Sequence, residues 1–154
     1  MRYVNYGNGV YDLDKWKEVK NYENSGGWIK PAIGGLWSSP VNSKWGWKDW
    51  CEAEDYDTDL LDEPYFDFSL KKDSNIYVID SVHDLKFFKY CNLSNHYRCV
   101  IDFERAAKEY DAIFLTMQGE RETRYSSPYS LYGWDCETLL VLNKDSMIDI
   151  KNHI

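Results

Sequence analysis

The sequence predicts a single α+β domain, because β-rich and helix-like segments follow one another without regular β-α-β alternation. Residues 75–80 (Asn-Ile-Tyr-Val-Ile-Asp) favour a strand, and Glu137–Asn143 contains a continuous apolar run, Leu139–Leu142, as a central strand does. Phe103–Tyr110 instead repeats apolar residues at helical spacing after Asp102, a typical N-cap. The 154 residues are 44% hydrophobic, which is enough for one core over residues 1–154.

In the first half of the chain, glycines, prolines and capping residues mark the boundaries of the elements. Gly7-Asn8-Gly9, Ser25-Gly26-Gly27 and Pro40 each end a segment, and Ser43 is a typical N-cap. We therefore predict a strand over Tyr3–Tyr6, a short helix within Leu13–Tyr22, a strand over Gly35–Ser38 and a helix from Lys44 to Glu54.

In the second half, apolar periodicity gives the remaining elements. Alternation over Tyr65–Leu70 predicts a half-buried strand, and the spacing of Val82, Leu85 and Phe88 predicts a short helix over Val82–Lys89. A strand over Ala112–Thr116 follows the helix that Asp102 caps, and the tail from Asp145 to Ile150 is apolar on alternate residues.

A long polar segment, Met117–Gly133, has no strong periodicity, and we expect a loop there. A loop of this length within a compact domain is usually functional. Its cations Arg121 and Arg124 are either solvated charges or contacts for a pyrophosphate or a target protein. Gly133-Trp134 at its end is typical of the lining of a cleft.

The chain is acidic, with a net charge of −8 and nine carboxylates between Asp49 and Asp67. Such a surface repels phosphate backbones, so general nucleic-acid binding is not expected. The acidic run is either a solvated face or a surface that meets a basic partner.

The remaining composition argues against a metal site and a membrane segment. The four cysteines form no Cys-x-x-Cys pair, and the three histidines are scattered without regular ligand spacing. No apolar run approaches the length that spans a bilayer, and the first residues lack the hydrophobic region of a signal peptide. We therefore expect a soluble, cytoplasmic protein with free cysteines.

Tryptophan is concentrated between residues 28 and 54, where five of the seven lie: Trp28, Trp37, Trp45, Trp47 and Trp50. Such a cluster forms either an aromatic core or a walled pocket. Gly34-Gly35 with Ser38-Ser39 favours the pocket, because glycine allows close backbone approach and hydroxyls bind polar groups. We expect Trp37 and Trp28 to face the pocket and the Trp45–Glu54 segment to pack behind it, although Ser38-Ser39-Pro40 also fits a plain turn.

The order of these segments resembles the mono-ADP-ribosyltransferase fold, which has split antiparallel sheets and a few short helices. Gly35-Leu36-Trp37-Ser38-Ser39 is similar to the family's second strand, and Tyr110-Asp111-Ala112-Ile113 to its later Tyr-Asp-Gly-Ile strand. Glu137 opens the strand in which the family carries its catalytic glutamate. Met117–Gly133 matches the target-recognition loop that precedes that strand.

The resemblance implies NAD as the substrate that donates ADP-ribose. Tyr6 and Gly7 occupy the place of the family's first-strand NAD-binding residues. Tyr6 or Trp37 would stack on the nicotinamide ring, the backbone of Gly7 would bind its carboxamide, and Ser38 and Ser39 would hydrogen-bond the ring or ribose.

The resemblance also assigns catalytic carboxylates. Cleavage of the nicotinamide–ribose bond passes through an oxocarbenium-like state, which Glu137 would stabilise. Asp135 would polarise the acceptor. Without the resemblance, Glu137 would equally fit an exposed carboxylate at a strand end.

Two departures from the family's pattern keep a second function open. Tyr6 stands where the family has His or Arg, and Asp135 stands where many members have Glu or Gln. The first hypothesis is a transferase that modifies a host macromolecule, and the compact acidic chain would suit a phage-encoded or toxin-like effector in the host cytoplasm. The alternative is a catalytically silent binding or inhibitor protein, such as a phage accessory protein, that uses the same pocket or its acidic surface. A structural virion protein is a third, weaker candidate.

Overall fold

A computed structural model describes residues 1–23, 28–91 and 99–154. Within them lie seven strands and three α-helices, so the α+β class is confirmed. The strands are β1 (Arg2–Asn5), β2 (Leu36–Pro40), β3 (Tyr65–Leu70), β4 (Ile76–Ile79), β5 (Ala112–Leu115), β6 (Thr138–Val141) and β7 (Met147–His153). The helices are α1 (Trp47–Glu54), α2 (Phe103–Glu109) and α3 (Met117–Thr123). The stop expected at Ser25-Gly26-Gly27 lies outside the described residues.

The seven strands are hydrogen-bonded in the order β4-β5-β6-β2-β1-β3-β7. Every pairing is antiparallel except that of β4 with β5. Strand β2 joins two parts of this sheet, because residues 36–38 pair with β6 on one side and residues 39–40 pair with β1 on the other. We expected split antiparallel sheets, and the described strands form one continuous order whose two parts meet within β2.

Strand β6 is central, as its apolar sequence predicts, and all four of its residues are buried. Its alternating side chains pack into two cores on opposite faces of the sheet. Leu140 packs in the first core with Phe103 of α2 and Trp134. Leu139 and Val141 pack in the second core, whose other members come from strands β1, β3 and β5 and from the start of β7: Tyr3, Phe66, Phe68, Ala112 and Met147.

The expected loop at Met117–Gly133 begins instead with a helix, α3. The hydroxyl of Thr116 caps it by accepting from the backbone N–H of Gly119. Gly119 allows α3 to pack closely against the end of β4, because a Cβ at this position would lie 2.1 Å from the carbonyl oxygen of Ile79. The polar sequence does not predict this helix, because the helix depends on its contact with the end of β4.

Three other boundaries differ from the sequence prediction. Only Leu13–Lys15 forms a short 3-10 turn within the helix expected over Leu13–Tyr22, and Val82–Phe87 is likewise 3-10. Helix α1 begins at Trp47 and not at Lys44, because Gly46 is its N-cap. Two further 3-10 turns lie at Thr58–Leu61 and Lys144–Ser146.

None of the helices described is long and apolar enough to cross a membrane.

Candidate functional site

A cavity of about 370 Å³ lies where β1, β2 and the segment before β6 meet. Its volume falls within the range of pockets that hold small molecules. Aromatic rings form much of its wall: Tyr6, Trp28, Trp37, Trp47, Tyr132 and Trp134. Flat apolar walls of this kind suit a planar ring system.

Trp134 is the most firmly held of these rings. It is 4% exposed, and its indole N–H donates to the backbone carbonyl of Ile29 at 2.5 Å. Its ring meets Trp37 edge to face, with centroids 4.9 Å apart, and stacks on Phe103 at 6.4 Å. The cavity wall is therefore continuous with the first core, which keeps both tryptophans in one geometry.

Trp37, Ser38 and Ser39 of β2 all line the cavity, as the sequence predicts. The two hydroxyls already have structural bonds, however. Ser38 donates to the carbonyl of Leu139 at 3.0 Å, and Ser39 accepts from the backbone N–H of Trp47 at 2.9 Å. Both serines therefore hold β2 against β6 and α1 while they form part of the cavity floor.

Tyr6 also lines the cavity, whereas Gly7 is not among its lining residues. Tyr6 contacts Tyr65 with ring centroids 4.9 Å apart. Burial raises the pKa of the Tyr6 phenol, and the charges of Tyr65, Asp49 and Glu52 add to the rise. The phenol is therefore a neutral hydrogen-bonding group at the cavity wall. Gly7 is exposed with φ of 92°, as a turn after β1 requires.

Of the two carboxylates that the resemblance assigns to catalysis, Asp135 lines the cavity. Its Oδ1 lies 3.0 Å from Nη2 of Arg124, whose Nη1 binds Glu120 at 3.1 Å. Burial raises the pKa of the Asp135 carboxyl, and the Arg124 guanidinium opposes that rise. Arg124 is therefore ion-paired with a residue of the cavity lining. The sequence predicts either a solvated charge or a contact for a pyrophosphate or a target protein, and the observed ion pair is neither.

Glu137 is not among the residues that line the cavity. It lies directly before β6, half-buried, and its backbone N–H donates to the carbonyl of Trp45 at 2.9 Å. Burial, followed by the charge of Glu137, raises the pKa of the phenol of Tyr3, which packs in the second core. Cys136 and Thr138, the two neighbours of Glu137, line the cavity instead.

Cys136 lines the cavity, although the amino-acid sequence alone does not indicate this role. Its thiol is buried, lies 3.6 Å from the Thr138 hydroxyl and 3.9 Å from the Ser39 hydroxyl, and burial raises its pKa to about 11. A thiol that stays protonated is a poor nucleophile. Cys136 therefore contributes to the shape and polarity of the cavity.

The glycines of the Gly34-Gly35 pair serve the fold and not the cavity. A Cβ on Gly34, whose φ is 85°, would lie 2.2 Å from the carbonyl oxygen of Glu18, and the N–H of Gly35 donates to the carbonyl of Lys17. The close approach inferred from the sequence is real, but the partner is the segment before the tryptophan cluster.

Three further residues line the cavity. The sequence does not indicate Asn5 or Lys30, and it predicts that Trp47 packs behind the pocket. Asn5 ends β1, Trp47 begins α1, and Lys30 carries its ammonium 5.3 Å from the centroid of the Trp28 ring. Lys30 supplies a positive charge at the cavity. The position of Asn5 directly before Tyr6 is the one sequence signal for it.

The described residues contain no group of three or more His, Cys, Asp or Glu side chains that could hold a metal ion. No protein-family model, curated protein or solved structure matches this chain. Among the described residues, the cavity offers flat aromatic walls, one ion-paired carboxylate, one cation, and amide and hydroxyl groups.

Proposed function

We propose that this protein binds NAD in the aromatic cavity and transfers ADP-ribose to a host macromolecule. One observation carries the proposal. Residues that the resemblance selects from distant parts of the sequence line the same cavity: Tyr6, Trp37, Ser38, Ser39 and Asp135. The pairing of β1 with β2 and of β2 with β6 brings these positions together, and the cavity opens where their side chains meet.

The groups that line the cavity fit nicotinamide and ribose, which the breaking bond joins. Trp37, Trp134 and Tyr6 form walls against which a nicotinamide ring packs. Asp135 supplies negative charge for the ribose as positive charge develops there. Lys30, exposed at the cavity, is the cation available to a pyrophosphate.

In the proposed reaction, the bond between ribose C1′ and the nicotinamide nitrogen breaks, and its electron pair stays with nicotinamide, which leaves as the neutral base. A lone pair of the acceptor then forms the new bond to C1′, and the acceptor proton passes to a nearby base or to water. Because Asp135 lines the cavity and Glu137 does not, we assign the charge-stabilising role first to Asp135.

The acceptor is proposed to be a protein that docks on the segment after α3. Two tyrosines of this segment are exposed, Tyr125 at 79% and Tyr132 at 46%, and their ring centroids lie 6.0 Å apart. Exposed aromatic side chains of this kind are enriched at protein interfaces. Tyr132 also lines the cavity, which connects this surface with the reacting centre.

The transferase proposal is tested with adenine-labelled NAD and a host-cell lysate. Wild type is compared with Asp135→Asn, Glu137→Gln and the matched control Glu63→Gln, an exposed carboxylate outside the cavity. We expect labelled product with wild type and the control, and a loss of at least about 100-fold with Asp135→Asn. Loss with Glu137→Gln alone would return the role to Glu137, and no label above background with wild type would refute transfer.

A second candidate function is binding of NAD without turnover. It is favoured by the ion pair of Asp135 with Arg124, which already uses the cavity carboxylate, and by the position of Glu137 outside the lining. Under this hypothesis NAD raises the melting temperature but no nicotinamide is released. Release of nicotinamide that depends on Asp135 would exclude it.

A further inference from the structure

Trp28 differs from the other aromatic residues of the cavity wall in what its ring contacts. Each of the other five rings lies against a second aromatic ring: Trp37 with Trp134, Trp47 with Trp50, Tyr6 with Tyr65, and Tyr132 with Tyr125. Among the described residues, no aromatic ring contacts Trp28, which is 61% exposed. Most of the surface of Trp28 is therefore accessible to a ligand.

The neighbour of the Trp28 ring is a cation. The ammonium of Lys30 lies 5.3 Å from the centroid of the ring, and both residues line the cavity. Lys30 is exposed and forms no ion pair with a carboxylate of the described residues. An accessible aromatic ring can stack on a nucleobase, and a lysine without a carboxylate partner is available to a phosphate. The pair therefore presents the two kinds of group that bind a nucleotide.

The residue between Trp28 and Lys30 fixes this pair to the rest of the wall. Ile29 is 3% exposed, and its carbonyl accepts a hydrogen bond from the indole N–H of Trp134 at 2.5 Å. Trp134 is 4% exposed and Trp28 is 61% exposed, so the aromatic wall has a buried end and an exposed end. A ligand with two flat bases can place one base at each end.

We propose that Trp28 and Lys30 bind the adenosine diphosphate half of NAD, with adenine stacked on Trp28 and the pyrophosphate beside Lys30. The inference rests on the proposed binding of NAD. The nicotinamide then lies at the buried end of the wall, against Trp37 and Trp134. The two halves of NAD accordingly bind separable parts of one cavity, and each half binds by itself.

Isothermal titration with NAD, ADP and nicotinamide mononucleotide tests the role of Trp28. In Trp28→Leu we expect NAD and ADP to bind about 5- to 50-fold more weakly than in wild type, because the stacking ring is lost. Nicotinamide mononucleotide, which has no adenine, should stay within about twofold. Trp28→Phe keeps a flat ring and should bind ADP within about threefold of wild type.

Phe87→Leu is the matched control, because Phe87 is 60% exposed and is not a cavity residue. It should leave the affinity for all three ligands unchanged. Lys30→Gln tests the phosphate contact, and we expect it to weaken ADP about 3- to 10-fold while adenosine stays within about twofold. Circular dichroism checks that each variant is folded, and if Trp28→Leu is not, Lys30→Gln and Trp28→Phe decide.

The outcomes separate this inference from the proposed function. If wild type binds NAD but not ADP, the inference is overturned while binding of NAD stands. Equal weakening of ADP and nicotinamide mononucleotide in folded Trp28→Leu also overturns it, as does unchanged ADP affinity in both Trp28→Leu and Lys30→Gln. Binding of ADP without NAD, weakened by Trp28→Leu, keeps the nucleotide site and overturns the proposed function. Failure of wild type to bind either ligand overturns both.

Discussion

Nη2 of Arg124 lies 3.0 Å from Oδ1 of Asp135, an ion pair that joins the end of α3 to the segment leading into β6. The same guanidinium binds Glu120 one turn earlier in the helix. Arg124 thereby links α3, a helix that the sequence does not predict, to Asp135, the carboxylate among the described residues that line the cavity. The orientation of Asp135 depends on that helix being formed.

Replacement of Arg124 by Gln is expected to lower the free energy of unfolding by about 1–2 kcal/mol, because two mostly buried carboxylates lose their cation. The side chains of Asp135 and Glu120 are 19% and 10% exposed. Urea unfolding at neutral pH measures the change. The matched control is Arg105→Gln, which breaks the exposed pair with Glu109 and should cost less than about 0.5 kcal/mol. Equal losses would show that the Arg124 pair adds nothing beyond a surface contact.

Trp37 should carry much of the ligand affinity. Replacement by Leu removes one aromatic wall and the edge-to-face contact with Trp134, and we expect NAD to bind about 3- to 15-fold more weakly. Trp16→Leu serves as control, because Trp16 packs against the second core and is not a cavity residue. Isothermal titration reports both. An unchanged affinity in a folded Trp37→Leu protein contradicts ring stacking at this wall.

The sequence predicts those features that depend on local pattern. Alternation and apolar runs identify six of the strands, and turn residues place Tyr6 and Trp37 near a strand end, where the structure finds them at the cavity. The seventh strand, β7, extends beyond the predicted tail because pairing with β3 continues to His153. A polar segment can join a sheet in this way when its partner strand supplies the hydrogen bonds.

What the sequence does not predict depends on contacts between distant residues. Helix α3 requires the approach of Gly119 to Ile79, and Asn5 is a site candidate only because β1 and β2 stop pairing beside it. The position of Glu137 follows from a bend before β6, which leaves Asp135 in the cavity lining and Glu137 outside it. A motif gives the spacing of two carboxylates but not the face that each one takes.

Asp67 should stabilise the protein in a pH-dependent way. Burial alone would raise the pKa of its carboxyl, but hydrogen bonds from His153 and Arg2 overcome this and hold the pKa below its usual value. A lowered pKa in the folded state stabilises the protein above the unfolded-state value of 3.8 and loses that contribution as the pH falls through the folded-state value. We expect Asp67→Asn to lower the unfolding free energy by about 1–2 kcal/mol at pH 6 and to differ little from wild type in strong acid.

Urea unfolding from pH 6 downward checks this prediction. The control is Asp73→Asn, an exposed carboxylate whose replacement should leave the pH profile of stability unchanged. A difference between wild type and Asp67→Asn that stays constant down to pH 2 would show that the loss comes from packing and not from ionisation.

Gly119 allows α3 to approach β4, and its replacement by Ala should therefore be costly although alanine is the better helix former. The added Cβ would lie 2.1 Å from the carbonyl oxygen of Ile79 and 3.0 Å from Cδ1 of Leu115. Backbone on one side and a buried core residue on the other leave no room, so the helix must move away. We expect a loss of about 2–3 kcal/mol in unfolding free energy, measured in urea. Gln118→Ala, one residue earlier on the exposed side of the helix, should change it by less than about 0.5 kcal/mol. Because Arg124 is the residue directly after α3, the Gly119→Ala protein should also bind NAD more weakly. Unchanged stability together with unchanged binding would contradict the coupling between this helix and the cavity.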